Sequence, residues 1–191
     1  MNQCTDESMN QSDPDPRTDQ ELVEALNRGE AGAFEAIYFR YRDWVGRLAQ
    51  RFVGNENDAL DVLQETFLYL HRKFPGFVLS ARLTTFLYPV VKHLALANRR
   101  RRGKFVGDEM ALEIAAAPAT NSGREGIEDL RVVVSGLPAT HREVLLMRYV
   151  DEMSLEEIAA GLSIPLGTVK SRIHNGLKML AEDPKTRRFF E

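Results

Sequence analysis

The sequence predicts an all-α protein: two small helical domains joined by a flexible linker, the C-terminal one a helix-turn-helix. Three observations carry that expectation. Apolar residues recur at three-and-four spacing, the period of one helix face, from Asp19 to about Lys104 and again from about Glu128 to Leu180. Between them, 105–127 is acidic and poor in aromatics, with Ala-Ala-Ala-Pro-Ala and Asn-Ser-Gly runs, the composition of a linker. Finally, Ser163-Ile164-Pro165-Leu166-Gly167 separates two short amphipathic segments. That is the layout in which the second helix of a helix-turn-helix enters a DNA major groove.

The elements follow in order. Residues 1–18 are rich in Asp, Ser, Asn, Gln and Pro and are expected to be a disordered tail. The first domain, 19–104, opens with Leu22, Val23, Ala25 and Leu26 on a short helix ending near Gly29. A second helix carries Phe34, Ile37, Tyr38, Tyr41, Trp44, Val45, Leu48 and Phe52 and stops at Gly54-Asn55. A third is expected to start near Asp58, whose carboxylate suits a helix N-terminus. Its apolar face is Ala59, Val62, Leu63, Phe67 and Leu70, which leaves Asp58, Asp61, Gln64 and Glu65 together on the other side. From this helix alone that side reads as a solvated face, with a docking edge for a basic protein as the alternative. Phe74-Pro75-Gly76-Phe77 then opens a loop to about Arg82 whose Phe77, Val78 and Leu79 either fold onto the core or line a pocket for something flat.

Leu83, Phe86, Leu87, Val90, Val91 and Leu94 mark the next helix, which Pro89 is expected to shorten or kink, because proline removes a backbone donor at a cost of about 3 kcal/mol. It runs into the densest positive charge of the chain. Lys92–Lys104 holds two lysines and four arginines with no acid, whereas Asp108–Asp129 holds six acids and one arginine. The net charge of −3 is therefore less informative than its segregation. Arg99, Arg100, Arg101 and Arg102 fan around a helix end, where the dipole favours cations and phosphate contact becomes available.

The second domain, 128–183, begins with a short helix and Leu137-Pro138, with Pro138 suited to a first helical turn. Ser154-Leu155-Glu156-Glu157 is a capping box. Thr168 is expected to cap the last helix, leaving Lys170, Ser171, Arg172, His174, Asn175 and Lys178 for its outer side. Residues 184–191 form a basic tail. The single cysteine, Cys4, supports no disulfide framework, and no apolar run approaches the roughly 20 residues a bilayer requires. A cytoplasmic protein without membrane insertion is expected. His71, His93, His141 and His174 lack metal-ligand spacing, and neither a nucleophile motif nor a phosphate-binding glycine loop occurs, so no cofactor and no metal are expected and an enzyme is disfavoured.

With these residues in view, the chain resembles the extracytoplasmic-function (ECF) sigma factors of bacterial RNA polymerase. LPATHREVLLMRYVDEMSLEEIAAGLSIPLGTVKSRIHNGLKML resembles the group's region four, NDALDVLQETFLYL the polymerase-binding part of region two, and LTTFLYPVVKHLALANRRRR its minus-10-reading part. The resemblance implies that Asp58, Asp61, Gln64 and Glu65 dock on the coiled coil of the largest subunit of core RNA polymerase. It implies that Phe77, Ser80, Arg82, Phe86, Lys92, His93, Arg99, Arg100, Arg101 and Arg102 serve the minus-10 element, with a flipped base held near the loop. Thr168, Lys170, Ser171, Arg172, His174, Asn175 and Lys178 would serve promoter DNA at minus-35, and the same domain would touch the polymerase flap. An anti-sigma factor is a further partner the resemblance allows. Phe86 and His93 depart from the family's usual Trp and Asn, Pro89 sits in a helix where the family rarely has proline, Asn175 and Leu177 replace positions often held by arginine, and Gly176 weakens the last helix by roughly 1 kcal/mol relative to alanine. Two other readings stand beside this one: a stand-alone helix-turn-helix regulator, and a sigma-like regulator that docks on polymerase but melts promoters poorly.

Overall fold

The structure is a computed structural model and describes residues 15–103, 134–184 and Thr186. All regular elements among these residues are helices: α1 (Asp19–Asn27), α2 (Ala31–Val53), α3 (Glu56–His71), α4 (Leu83–Arg101), α5 (Ala139–Tyr149), α6 (Leu155–Leu162) and α7 (Leu166–Glu182). The tail at 1–14, the expected linker, nearly all of the short helix before Leu137 and most of the basic tail lie outside the described residues.

Helices α1–α4 form the first unit. Thr18 and Glu21 close a capping box at the start of α1, satisfying two helix-end donors reciprocally. Gly54, at φ +79°, ends α2 in the left-handed conformation that glycine adopts without steric cost. Helices α2, α3 and α4 pack on one another, burying Ile37, Val45, Leu48, Phe52, Val62, Phe67, Leu70, Leu87 and Val91.

Helices α5–α7 form the second unit. Ser154 and Glu157 make the expected capping box on α6. Ser163, at φ +54°, turns the chain from α6 into α7. One small cluster, Val134, Leu137, Leu145, Leu146 and Leu180, belongs to this unit alone. Its other apolar residues, Val144, Met147, Met153, Ile158 and Val169, join the cluster of the first unit in one continuous core. The two units thus pack directly, α6 lying against α4.

Three local expectations change. Helix α3 starts at Glu56, because Asn55 rather than Asp58 supplies the cap: its side chain accepts from the Asp58 backbone N–H at 2.9 Å. Helix α7 starts at Leu166 with Pro165 at its N-cap, so Thr168 lies in the first turn, its backbone N–H donating to the Pro165 carbonyl at 2.9 Å. Helix α4 continues through Pro89 from Leu83 to Arg101. Pro89 is solvent-exposed, and the carbonyl it leaves without a helical donor is that of Thr85, four residues back.

Candidate nucleic-acid interface

The exposed side of α3 differs from the expected one in one residue. Asp61 and Gln64 are exposed and Glu65 half-buried, but Asp58 is 0% exposed. Its carboxylate accepts from the Asn55 amide at 2.6 Å and pairs with Arg102 at 2.6 Å. A carboxylate three residues past the cap points back towards the preceding loop, which here packs beneath the end of α4; the surface placement expected of Asp58 is therefore corrected. Sequence reasoning also missed Leu60 and Leu68, 50% and 56% exposed. With Gln64 they stand at i, i+4 and i+8, one stripe of a helix. Two leucines out of phase with the buried face were the available signal. The exposed apolar stripe is flanked by Asp61 and Glu65, a composition that a protein partner could cover.

The loop after α3 lays Phe77 and Leu79 on the first unit, forming an aromatic cluster, while Val78 is 79% exposed. Phe77 packs against Phe74 and Phe86 with ring centroids 5.5 and 4.8 Å apart, and Phe86 stacks on Tyr69 at 6.3 Å with 22° between the planes. Lys73 lies 4.6 Å over the Tyr69 ring, a cation–π contact. Asn27, the last residue of α1, holds the loop in place. Its amide donates to the Phe77 carbonyl at 2.8 Å and accepts from the N–H groups of Gly76 and Phe77 at 2.7 and 3.1 Å. Nothing in the sequence pattern singled out Asn27 or Tyr69. Ser80, Arg82 and His93 are exposed, and Lys92 is half-buried. The cluster places flat rings beside cations, which can stack and hold an unpaired base.

The arginines at the end of α4 reach solvent, yet three of them also contact the first unit. Arg99 donates to the Phe52 carbonyl at 3.3 Å, Arg101 pairs with Glu65 at 3.0 Å, and Arg102 bridges Asp58 at 2.6 Å and Asp61 at 3.2 Å. The expected docking edge and the expected phosphate collar are therefore neighbours that share charges. Arg100 is exposed.

On α7, Val169, Gly176 and Leu180 are buried while Lys170, Ser171, His174, Asn175 and Lys178 share the exposed face, with Thr168 and Arg172 half-buried. Lys170 and Arg172 have no ion-pair partner among the described residues, and Lys178 meets Glu182 at 3.9 Å. Gly176 is no defect. A Cβ there would lie 3.0 Å from Leu145 Cδ1 and 3.4 Å from His141 Cβ, so its absence lets α7 approach α5.

Polar contacts tie the units together. Arg51 and Asp151, with side chains 5% and 6% exposed, pair at 2.5 Å, and a second contact at 3.3 Å makes the pairing bidentate. Glu143 accepts from the Tyr88 hydroxyl at 2.9 Å and from Lys92 at 2.6 Å. Burial, and next the Glu143 charge, push the Tyr88 phenol well above its usual pKa, so it stays a donor. Arg82 lies 3.4 Å from Glu157.

The comparisons with known proteins agree with this architecture. The family model "Sigma-70 region 2" matches residues 37–105, and "Sigma-70, region 4" matches 127–180. The ECF RNA polymerase sigma-E factor of Escherichia coli K12 is 34% identical over 170 residues, covering 82% of this chain and 88% of that protein. The ECF RNA polymerase sigma factor SigW of Bacillus subtilis is 29% identical over 172 residues, 83% of this chain and 92% of that one. Among solved structures, CnrH in complex with the cytosolic domain of CnrY matches with a TM-score of 0.63 at 21% identity, over 85% of this chain and 94% of that chain. Two sigma regions in order, each on its own helical unit, and a relative matched over most of its length lead to one conclusion: the chain belongs to the ECF RNA polymerase sigma factors.

Proposed function

We propose that the chain binds core RNA polymerase and directs it to promoters with two separate elements, acting in the cytoplasm and doing no chemistry of its own. The observation that carries this is the order of the two sigma regions on two helical units, one with an exposed α3 edge and the other with a basic face on α7 whose Lys170 and Arg172 have no ion pair among the described residues. The α3 edge of Leu60, Asp61, Gln64, Glu65 and Leu68 is the polymerase-docking surface, with Asp58 behind it as support. The Phe77–Phe86–Tyr69 cluster, with Ser80, Arg82, Lys92, His93 and the α4 arginines, receives the minus-10 element. Taking a base from the stack costs a few kcal/mol, which stacking of about 1–3 kcal/mol per base and phosphate contacts offset. Thr168, Lys170, Ser171, Arg172 and His174 read the minus-35 element, because the N-terminal half of the second helix is the part that meets base edges, and Asn175 and Lys178 continue that contact along the same face.

Single-round transcription with core polymerase, with and without the chain, tests this. Promoter-dependent transcripts are expected only with it. The paired substitution Asp61→Ala and Gln64→Ala should abolish capture of core polymerase while leaving the helical circular-dichroism signal intact. Retained capture removes the docking surface from α3.

A further inference from the structure

Deepening the reading of the loop after α3 as part of the minus-10 surface, on which it rests, we propose that Asn27 is a positioning residue for base selection. It touches no DNA itself. It fixes the backbone of the loop that does.

The first ground is what one side chain can do here. A carboxamide carries an acceptor and a donors' nitrogen on one planar group, as a peptide unit does, and among side chains only Asn and Gln offer that. The Asn27 oxygen accepts from the N–H groups of Gly76 at 2.7 Å and Phe77 at 3.1 Å, and its NH2 donates to the Phe77 carbonyl at 2.8 Å. Both backbone groups of Phe77 are thus held by one side chain, much as a neighbouring strand would hold them. The opposite orientation of the amide would set its donors against two N–H groups, so the network itself assigns the oxygen and the nitrogen.

Among the described residues nothing else of that kind holds the loop: 75–81 make no other hydrogen bond. Packing of Phe77 on Phe74 and Phe86 fixes where the ring lies, but apolar contact is non-directional and leaves the backbone free to turn about it. That turn matters because exposure alternates along the loop. Phe77 and Leu79 pack on the first unit, whereas Val78 is 79% exposed and Ser80 is exposed as well. In an extended chain successive side chains face opposite ways. Holding the N–H and the carbonyl of Phe77 therefore decides that Val78 and Ser80 are the pair presented outward. Without the clamp the loop samples several presentations, and a base entering beside it meets different groups in each.

The clamp is itself firmly supported. Helix α1 buries Leu22, Val23, Ala25 and Leu26. Its start is tied to α2 through Asp19, which pairs with Arg40 at 2.7 Å and accepts from the Tyr41 hydroxyl. Arg17, just before the helix, meets Glu30, just after it, at 2.7 Å. Asn27 thus projects from the end of a fastened helix, the kind of rigid element on which a positioning group is effective.

The test uses holoenzyme assembled from core polymerase and the full chain. The probe is a pool of DNA forks, each a duplex ending in a single-stranded segment of randomised bases, and the bound forks are sequenced. Amide hydrogen exchange at Gly76 and Phe77 is followed in the free chain, with Val78, whose N–H has no hydrogen bond among the described residues, as the fast reference. Asn27→Ala removes the clamp and favours the helix. Asn27→Asp keeps both accepting contacts and loses the donor. In the parent, Gly76 and Phe77 should exchange more slowly than Val78, and the bound forks should show a base preference. Asn27→Ala should bring both amides to the Val78 rate. It should also weaken binding of the preferred fork about tenfold, flattening the preference, if the base-ready loop is then populated about a tenth of the time. Asn27→Asp should keep slow exchange and recover part of the preference. Capture of core polymerase, the helical circular-dichroism signal and binding of the blunt duplex should stay at the parent level in both variants. A preference that survives in Asn27→Ala, or a loss shared equally by the blunt duplex, overturns the positioning role. So does exchange at Gly76 and Phe77 in the parent as fast as at Val78. A parent that exchanges slowly there yet shows no base preference instead removes the minus-10 reading of the loop, and the role of Asn27 falls with it while the clamp stands.

Discussion

Helices α4 and α7 are the two elements we assign to nucleic acid, and they hold their cations differently. On α4, Lys92, Arg101 and Arg102 are each paired with a carboxylate, from Glu143, Glu65 and the Asp58–Asp61 pair. On α7, Lys170 and Arg172 have no ion pair among the described residues. A phosphate approaching α7 gains the whole interaction and displaces only water and counterions. A phosphate approaching α4 must first exchange a carboxylate, so its net gain is the difference between two ion pairs. The contrast separates a surface ready for duplex DNA from one that becomes strongly basic only when neighbouring acids find other partners. Asp61 and Glu65, which hold Arg102 and Arg101, stand on the edge we assign to polymerase, so docking and exposure of the collar are coupled through shared charges.

The sharpest way to break this contrast is to remove the buried anchor of α4. Asp58→Ala should destabilise the first unit by about 3 kcal/mol, the lower end of what breaking a buried pair costs, because Arg102 is 46% exposed at its side chain and can rehydrate. Urea denaturation measures this. If the variant instead keeps its stability and loses polymerase capture, Asp58 is a docking residue after all and the collar is not anchored by it. The next effect separates the two helices directly. Arg172→Ala should weaken binding to a minus-35 duplex by about 1–3 kcal/mol if it makes a bidentate base contact. Arg101→Ala should change free-chain binding by only a small part of that, since Glu65 already neutralises it. Equal losses from the two substitutions, measured at one salt concentration, would erase the distinction.

What could be read from the sequence was what depends on period and local chemistry. Helix faces such as Leu22–Leu26 and Val62–Leu70, the Ser154–Glu157 box and the Gly54 stop depend only on neighbours in the chain. The placement of Asp58 did not, because its burial depends on the end of α4 arriving from 44 positions away. Likewise, the arginine run looked like free charge, since no pattern along the chain discloses that Glu65 and Asp61 lie across from it. Loop residues Phe77 and Leu79 left two readings open, and the deciding partner was Asn27, a lone polar residue at the end of α1 with no motif around it. The packing of the two units was invisible for the same reason: Arg51 and Asp151 are ordinary charged residues until each is found in the other's low-dielectric surroundings.

Pro89 and Gly176 extend that lesson to helix propensity, and Gly176 gives the smallest and most discriminating effect. Both read as defects, yet each bears on a helix contact: exposed Pro89 leaves without a helical donor the Thr85 carbonyl, which would lie 3.8 Å from a Cβ on Gly161 of α6, and Gly176 admits Leu145. By propensity alone, Gly176→Ala should stabilise α7 by about 1 kcal/mol. The added Cβ would stand 3.0 Å from Leu145 Cδ1, and Leu145 is itself buried at 1% exposure between α5 and α7, so it has little room to yield. Overpacking of this kind typically costs about 1–3 kcal/mol, which cancels or exceeds the propensity gain. Thermal unfolding of Gly176→Ala should therefore show no rise in Tm. A clear rise would mean that α7 is held more loosely against α5 than its packing implies, and that Lys170 and Arg172 sit on a less rigid support than α4 offers its own cations.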